Sequence, residues 1–393
     1  MATRKPMSAI AGLGIAPMAR TDIGSTRDLA IEAVVAAVED AGFALGSVDG
    51  LLLCRSPSKP PSELPLQLRQ DLGLSDLHLL ADLQMEGASV VGALQAASLY
   101  IAHGLAEVVV CVFGDTPLRP GSESGVAAYS RAMNLTGIEG WDADSGLRGA
   151  VGAYALAAQR YLDRHALPAD ALGHYPIACR RWAALNPDAL LREPLDMQGY
   201  RQSRPIVEPL RVLDCAYPVN GAIAVVLCAL HLGRDRPHPP VYVHAAAQGH
   251  AGAMNCRGHE PEIETGATLA ARSLWRQAGV GPVDVQMAQV YDAFSYVGLQ
   301  ALEDYGLCPR GEATQFVASG ATSPGGALPV NTNGGHLSGF YLQGMTPVAE
   351  AVIQARGHAG ARQSSRNELI LVTGNGGRMD YHAAVLVSPR EAL

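Results

Sequence analysis

The sequence predicts an α/β protein made of two similar halves, and three observations carry that expectation. The chain has 393 residues, and a single hydrophobic core stops growing at roughly 250 to 300 residues, so more than one packed unit is expected. Its most apolar segments, such as Glu107 to Phe113 (E-V-V-V-C-V-F), are continuous rather than alternating, the mark of strands covered on both faces by helices. An order of strands and helices in the first part of the chain recurs after the Pro-rich segment Arg234 to Pro240 (R-D-R-P-H-P-P), a natural linker.

Ser8 to Ile15 reads as a buried strand, and Thr26 to Ala41 carries apolar residues at helical spacing with Thr26 as the expected N-cap. Gly12-Leu13-Gly14 does not complete a dinucleotide fingerprint, because Pro17 takes the last glycine position and no helix begins there. A strand over Val48 to Cys54, a helix over Ala88 to His103 and the Glu107 to Phe113 strand follow. The stretch 114–209 is more polar and reads as an insertion, with helical patches at Ala150 to His165 and Leu172 to Leu185. A strand over Ala222 to Leu227 closes the first half, so the halves are expected at 1–233 and 241–393. Beyond the linker the pattern predicts a strand (Val241 to Ala246), a helix (Glu264 to Gly279), a strand (Val285 to Tyr291) and a helix (Phe294 to Tyr305). A glycine-rich stretch (Gly320 to Gly344), a helix (Met345 to Arg356) and final strands complete it.

Composition excludes several functions. A formal net charge of -8 offers no basic surplus for nucleic acid or an anionic membrane, and no run reaches the roughly 18 apolar residues of a span. Neither nucleic acid nor membrane insertion is expected, and the location implied is cytoplasmic. The seven cysteines, Cys54, Cys111, Cys179, Cys215, Cys228, Cys256 and Cys308, contain no C-x-x-C pair and have no histidine at zinc spacing, so they read as reduced thiols and no metal site is expected. His103, His165 and His174 read as surface or helix-end residues.

Four stretches occur in a specific order. They are Gly87-Ala88-Ser89 opening a helix that runs to Ile101-Ala102-His103-Gly104, Asn186-Pro187-Asp188-Ala189, Asp214-Cys215-Ala216-Tyr217-Pro218-Val219-Asn220-Gly221, and Asn331-Thr332-Asn333-Gly334-Gly335. Together they resemble the thiolase family, in the branch of sterol-carrier-type thiolases and lipid-transfer proteins, along nearly the whole chain. The resemblance implies a thiolase fold, two αβ halves in a five-layer αβαβα sandwich, a homodimer, and a CoA thioester as substrate with no covalently bound cofactor. It also locates what is missing. The family's nucleophilic cysteine falls on Gly87 and its second cysteine on Gly374 of Thr373-Gly374-Asn375-Gly376-Gly377; neither position holds a thiol. Acyl-cysteine chemistry needs a thiolate there, so thiolase activity is not expected.

Where the family has two histidines this chain has Tyr291 and Tyr341. That joint change resembles the steroid side-chain aldolases, which cleave a 3-hydroxyacyl-CoA by retro-aldol reaction and often work with a small zinc-ribbon/OB-fold partner protein. The reaction needs a base for the β-hydroxyl, stabilisation of the departing thioester enolate, and an acid for its α-carbon. Tyr341 is assigned as base, which calls for a lowered phenol pKa, and Tyr291 as acid, with the reverse assignment also open. Asp292 is a candidate to orient a tyrosine or water. Asn333, His336 and the backbone N–H groups of Gly334, Gly335, Gly376 and Gly377 are candidates for the oxyanion. Glu86, beside the vacated position, is either a base or a carboxylate placed favourably at a helix start. A tyrosine at a strand end is more often a core residue tied to backbone, and the alternative function is a non-catalytic subunit that binds acyl-CoA or lipid.

Overall fold

The computed structural model describes residues 5–59, 64–119, 137–147, 149–251 and 265–393. Cys256 and the expected helix start at Glu264 lie outside these residues. The chain opens with β1 (Ser8–Ile15) and α1 (Thr26–Asp40). Ser25, not Thr26, caps α1, because its side chain accepts the Asp28 N–H; the Thr26 hydroxyl meets that of Thr116 at 2.9 Å instead. Next come β2 (Gly50–Cys54), α2 (Leu64–Asp71), β3 (Leu79–Leu83), α3 (Ser89–Ala102) and β4 (Val108–Asp115). Two of these, α2 and β3, lack the strong periodicity that betrays a buried element, since α2 buries only Leu68 and β3 is a part-exposed edge strand.

The inserted region holds α4 (Gly137–Asp144), α5 (Gly149–Arg164), α6 (His174–Ala183), α7 (Met197–Gln202) and the ribbon β5 (Pro205–Val207) with β6 (Leu210–Arg211). It is followed by β7 (Gly221–Cys228), the short α8 (Leu230–Gly233) and β8 (Val241–Gly249). The remainder is α9 (Ala267–Ala278), β9 (Met287–Gln289), α10 (Ser295–Asp304), α11 (Ala313–Ala318), α12 (Met345–Ala355), β10 (Ile370–Gly376) and β11 (Tyr381–Ser388). Strand β9 is shorter than the expected Val285 to Tyr291 for an identifiable reason. The Val290 N–H donates to Asn331 Oδ1 at 2.7 Å and the Tyr291 N–H to Thr373 Oγ1 at 3.1 Å, so side chains replace the ladder and Tyr291 leaves the sheet.

Nine strands hydrogen-bond in the order β3-β2-β4-β7-β1-β8-β11-β10-β9. Read outward from the antiparallel β1–β8 pair, one side runs β7, β4, β2, β3 and the other β11, β10, β9, with Val330 bridging to Ala288 of β9 in parallel. The same winding thus occurs twice. Side chains alternate across the strands into separate cores. From β4, Val108, Val110 and Val112 join a cluster with α1, while Val109, Cys111 and Phe113 join one around α3 and α12. That central cluster also takes Ile370, Val372, Ala383 and Val385 from the other side, whose outward residues Leu371, Ala384 and Leu386 meet α5, α6, α9 and α10. Three cores separated by two stretches of sheet make five layers, and α3 and α12, buried in the middle, are apolar on nearly every face.

Arg356, at the end of α12, ties the middle layer to the first half. Its guanidinium donates to Asp40 Oδ2 and to the Ala11 carbonyl, both at 2.7 Å. Removing a buried donor strands its acceptors. Arg356→Ala is expected to lower stability by about 1–3 kcal/mol, read as a lower denaturant midpoint at unchanged slope; an unaltered midpoint would contradict this role.

Candidate active site

A single 3-10 turn, Glu86–Ala88, precedes α3 and lies across the end of β10. Strand β10 permits that approach because it carries glycine where it faces the turn. A Cβ on Gly376 would overlap the Met85 carbonyl, and one on Gly374 would sit 2.8 Å from Ala88 Cα. Glu86 takes the left-handed conformation at φ 50°, with its carboxylate side exposed, while Gly87 is buried. A Cβ on Gly87 would fall within the Tyr291 ring and against the Asn375 carbonyl. The space a side chain at position 87 would take is therefore filled by the phenol, and Gly87 is required for it to enter.

Tyr291 and Tyr341 meet there, hydroxyl to hydroxyl, at 2.9 Å. Tyr341 is held by its own N–H donating to the Tyr217 carbonyl at 3.2 Å. His336 stands between the two rings, 4.9 Å from Tyr291 and 5.0 Å from Tyr341 by centroid, edge-on to both. Its Nε2 donates to the Gln343 carbonyl at 2.8 Å, and its Nδ1 faces the Asp292 N–H at 3.2 Å and Asp292 Oδ1 at 3.0 Å. The same Oδ1 accepts the His336 N–H at 2.9 Å, and Cys179 Sγ lies 3.7 Å from Oδ2. Asp292 thus holds His336, and through it the wall between the phenols, and the tyrosine it bonds directly is the buried Tyr175.

Burial pushes the Tyr341 phenol above its ordinary value of about 10, the hydrogen bond shared with Tyr291 pulls it partly back, and the carboxylates of Glu86 and Asp115 push it up further. Burial likewise raises Tyr291, and there the Tyr341 phenol and the shared hydrogen bond act in the same upward direction. The lowered pKa expected of a tyrosine base is therefore corrected: both phenols are held protonated. The shared hydrogen bond thus acts downward on Tyr341 and upward on Tyr291.

The oxyanion candidates are sorted by where their hydrogens go. The Gly334 N–H donates to the Asn331 carbonyl at 2.8 Å and the Gly335 N–H to Asn333 Oδ1 at 2.9 Å. Both are spent inside the turn, and the Asn333 carboxamide oxygen with them. Asn186 adds a clamp, donating to the Asn333 carbonyl at 2.9 Å. Gly335 is needed at φ 62° because a Cβ would overlap Asp292 Oδ2. His336 has both ring nitrogens occupied, so the expected oxyanion roles of Gly334, Gly335 and His336 give way to structural ones, whereas at Asn333 only the side-chain oxygen and the carbonyl are spent. Gly376 ends β10 beside Glu86, and Gly377 follows it against Tyr381.

Two residues with no distinguishing pattern in the sequence join the site. Tyr154 of α5 is buried, lies 4.7 Å from the Phe294 ring, and donates its hydroxyl to Asn375 Oδ1 at 2.9 Å. Asp115, at the end of β4, is fully buried and its carboxyl is pushed up to about 6 by that burial. The described cysteines are free, and five of the six are buried. Among the described residues no group of three metal-ligating side chains converges, and no helix is long and apolar enough to cross a membrane.

Residues 247–389 match the family described as thiolase C-terminal domain-like. The chain is 33% identical over 380 residues to the steroid side-chain-cleaving aldolase of Thermomonospora curvata, covering 94% of this chain and 95% of that one. It is 32% identical over 379 residues to the 17-hydroxy-3-oxo-4-pregnene-20-carboxyl-CoA lyase of Mycobacterium tuberculosis, covering 94% and 96%. The solved Ltp2-ChsH2(DUF35) aldolase superimposes with a TM-score of 0.86 at 32% identity over 98% of both chains. A monomeric SCP2-thiolase-like protein of Mycobacterium smegmatis gives a TM-score of 0.74 at 21% identity, covering 98% and 78%, a likeness of fold. The two windings packed around buried α3 and α12 make this a thiolase-fold protein, and the chain belongs to the thiolase superfamily. Within it the chain stands in the sterol-carrier-type branch, alongside the aldolases that lack the catalytic cysteines.

Gly87→Ala tests the packing that carries this site. The added methyl forces the Tyr291 ring out of place, so stability should fall by about 1–3 kcal/mol and a crystal structure should show the two hydroxyls beyond hydrogen-bond distance. An unchanged thermal midpoint with the pair intact would contradict the reading of Gly87.

Proposed function

We propose that this chain cleaves a bulky 3-hydroxyacyl-CoA, with a steroid side chain as the substrate class, by a retro-aldol reaction that yields a ketone or aldehyde and a short acyl-CoA, propionyl- or acetyl-CoA. The observation that carries it is the pair of buried, hydrogen-bonded phenols, one of them in the space a side chain at position 87 would take. No acyl-enzyme is needed for this chemistry, which accords with glycine at 87 and 374. The relatives named as aldolase and lyase support it.

The two raised phenols suit a relay better than a standing phenolate. As the β-hydroxyl O–H proton moves to the Tyr341 oxygen, Tyr341 passes its own to Tyr291, and Tyr291 gives its proton to the α-carbon. The α–β bond pair becomes the enolate and then the new C–H bond, while the hydroxyl oxygen becomes the carbonyl of the ketone. Both tyrosines end as they began, so the proton lost and the proton gained balance without a third group. Glu86 stands at the exposed side of this path and influences both phenols through its charge.

The assembly we propose is a homodimer with a small OB-fold partner carrying a zinc ribbon, acting in the cytoplasm. The solved relative described as an Ltp2-ChsH2(DUF35) aldolase, a two-protein assembly, supports a partner. We take 1–233 and 241–393 as the duplicated units, in keeping with the repeated winding on either side of the β1–β8 pair.

The test is to co-purify the chain with proteins encoded beside it, supply a 3-hydroxyacyl-CoA with a bulky β-substituent, and follow short acyl-CoA release by mass spectrometry. Tyr291→Phe and Tyr341→Phe should each lower the cleavage rate by about 10²–10⁴-fold, with the double variant no worse than the slower single one, because either break interrupts one relay. Bound acyl-CoA without release in any combination would instead identify a non-catalytic binding subunit.

A further inference from the structure

With the N–H groups of Gly334 and Gly335 spent in their own turn, the enolate oxygen needs another donor. Thr373 and Asn375 are two residues apart on β10, so their side chains share a face of the strand. Thr373 Oγ1 accepts the Tyr291 N–H at 3.1 Å, which puts that face on the side of Tyr291. One pleat further along, at the end of the strand, Asn375 has its carbonyl beside Gly87, where the Tyr291 ring enters. A small cavity of about 10 Å³, enough for one water, is lined by Tyr291, Thr373, Gly374 and Asn375 among others.

Asn375 is 6% exposed. Its Oδ1 accepts the Tyr154 hydroxyl at 2.9 Å, which turns its NH₂ the other way. That nitrogen has no protein acceptor among the described residues. The nitrogen is not among the fully enclosed atoms without a partner, so it opens onto accessible space where a ligand oxygen can complete it. Tyr154 comes from the inserted helix α5 and is braced on Phe294 at 4.7 Å, so its hydroxyl is fixed before any ligand arrives.

We propose that Asn375 is a catalytic residue whose side-chain NH₂ donates to the thioester oxygen as it becomes the enolate, and that Tyr154 is a positioning residue that locks the Asn375 amide in the donating orientation. This deepens the lyase reading by adding a side-chain oxyanion donor to it. The carbonyl pair moves onto oxygen as the α–β bond breaks, and returns as the α-carbon takes its proton. A donor aimed at that oxygen before the reaction needs no reorganisation when charge develops.

Hydrogen–deuterium exchange at the α-carbon of propionyl-CoA in D₂O isolates this half of the chemistry. It requires only enolate formation, with water in place of the ketone at the end of the relay, and no cleavable substrate. The full chain, with whatever partner co-purifies, should catalyse the exchange. Asn375→Asp keeps the shape and still accepts from Tyr154 but has no hydrogens to donate, so it should lower the exchange rate by about 10²–10³-fold with little change in the KM for propionyl-CoA. Tyr154→Phe should lower kcat by about tenfold at unchanged KM, and the double variant should match Asn375→Asp alone, since an orienting group has nothing left to orient. If Asn375→Asp does not fold, the kcat–KM split in Tyr154→Phe decides the matter.

Exchange within twofold of wild type in Asn375→Asp, additive losses in the double variant, or no exchange by the wild-type protein would overturn the proposal. Asn375-dependent exchange without cleavage of any 3-hydroxyacyl-CoA would sink the lyase reading and leave this inference standing. Cleavage that is indifferent to Asn375→Asp would do the reverse.

Discussion

The hydroxyl-to-hydroxyl contact of Tyr291 and Tyr341 at 2.9 Å is the interaction on which the site is organised, and it depends on an absence. Only a residue without a Cβ at position 87 leaves room for the Tyr291 ring. In a thiolase that position must carry a thiol, so nucleophile and phenol cannot occupy the site together. Glycine at 87 and tyrosine at 291 are thus one steric requirement rather than two independent features. Glycine at 374 and 376 extends the same logic, because the Glu86–Ala88 turn approaches β10 only where β10 has no side chain toward it.

The rest of the fold serves to hold two phenols still in a dry place. Tyr291 leaves the sheet because Asn331 and Thr373 take over its backbone bonds. Tyr341 is anchored to Tyr217, and His336, fixed at one nitrogen by Gln343 and at the other by Asp292, fills the angle between the rings. A half-satisfied buried polar network costs more than an apolar core, whereas a satisfied one specifies a single geometry. Here the satisfied portion is the frame, made of Asp292, His336, Asn331 and Asn333, and the atoms left open are those near the reacting groups. Exclusion of water raises both phenols, so the chemistry that fits is one that passes protons along rather than storing a negative charge.

Much of the fold was legible because its strands are buried on both faces and its middle helices on nearly all faces, giving long apolar runs bounded by Gly and Pro. What escaped were elements whose packing leaves a weak pattern: edge strand β3, short α2 and α11, and the early end of β9, which side-chain hydrogen bonds decide. Tyr341 could be read by counting from Asn331, and Tyr291 from its place in Tyr291-Asp292-Ala293-Phe294. The oxyanion donors could not, because whether an N–H is free depends on how the turn closes on itself, here with Asn331 and Asn333 accepting from Gly334 and Gly335. Tyr154 was invisible for a related reason. It sits in an insertion helix among small buried residues, 221 positions from the Asn375 it orients. The phenol pKa expectation failed because charge requirements read from the reaction say nothing of burial, and burial dominates here.

The central claim is that two protonated phenols relay the proton, and the pH dependence of the cleavage step bears on it most directly. Under single-turnover conditions between about pH 7.5 and 9.5, the Asp115 carboxyl, pushed up to about 6, has largely ionised, and both phenols, raised above about 10, remain protonated. A relay therefore predicts a cleavage rate that is flat across this range. A rate that climbs tenfold per pH unit would mean that a tyrosine must first lose its proton to act as base, and would contradict the account.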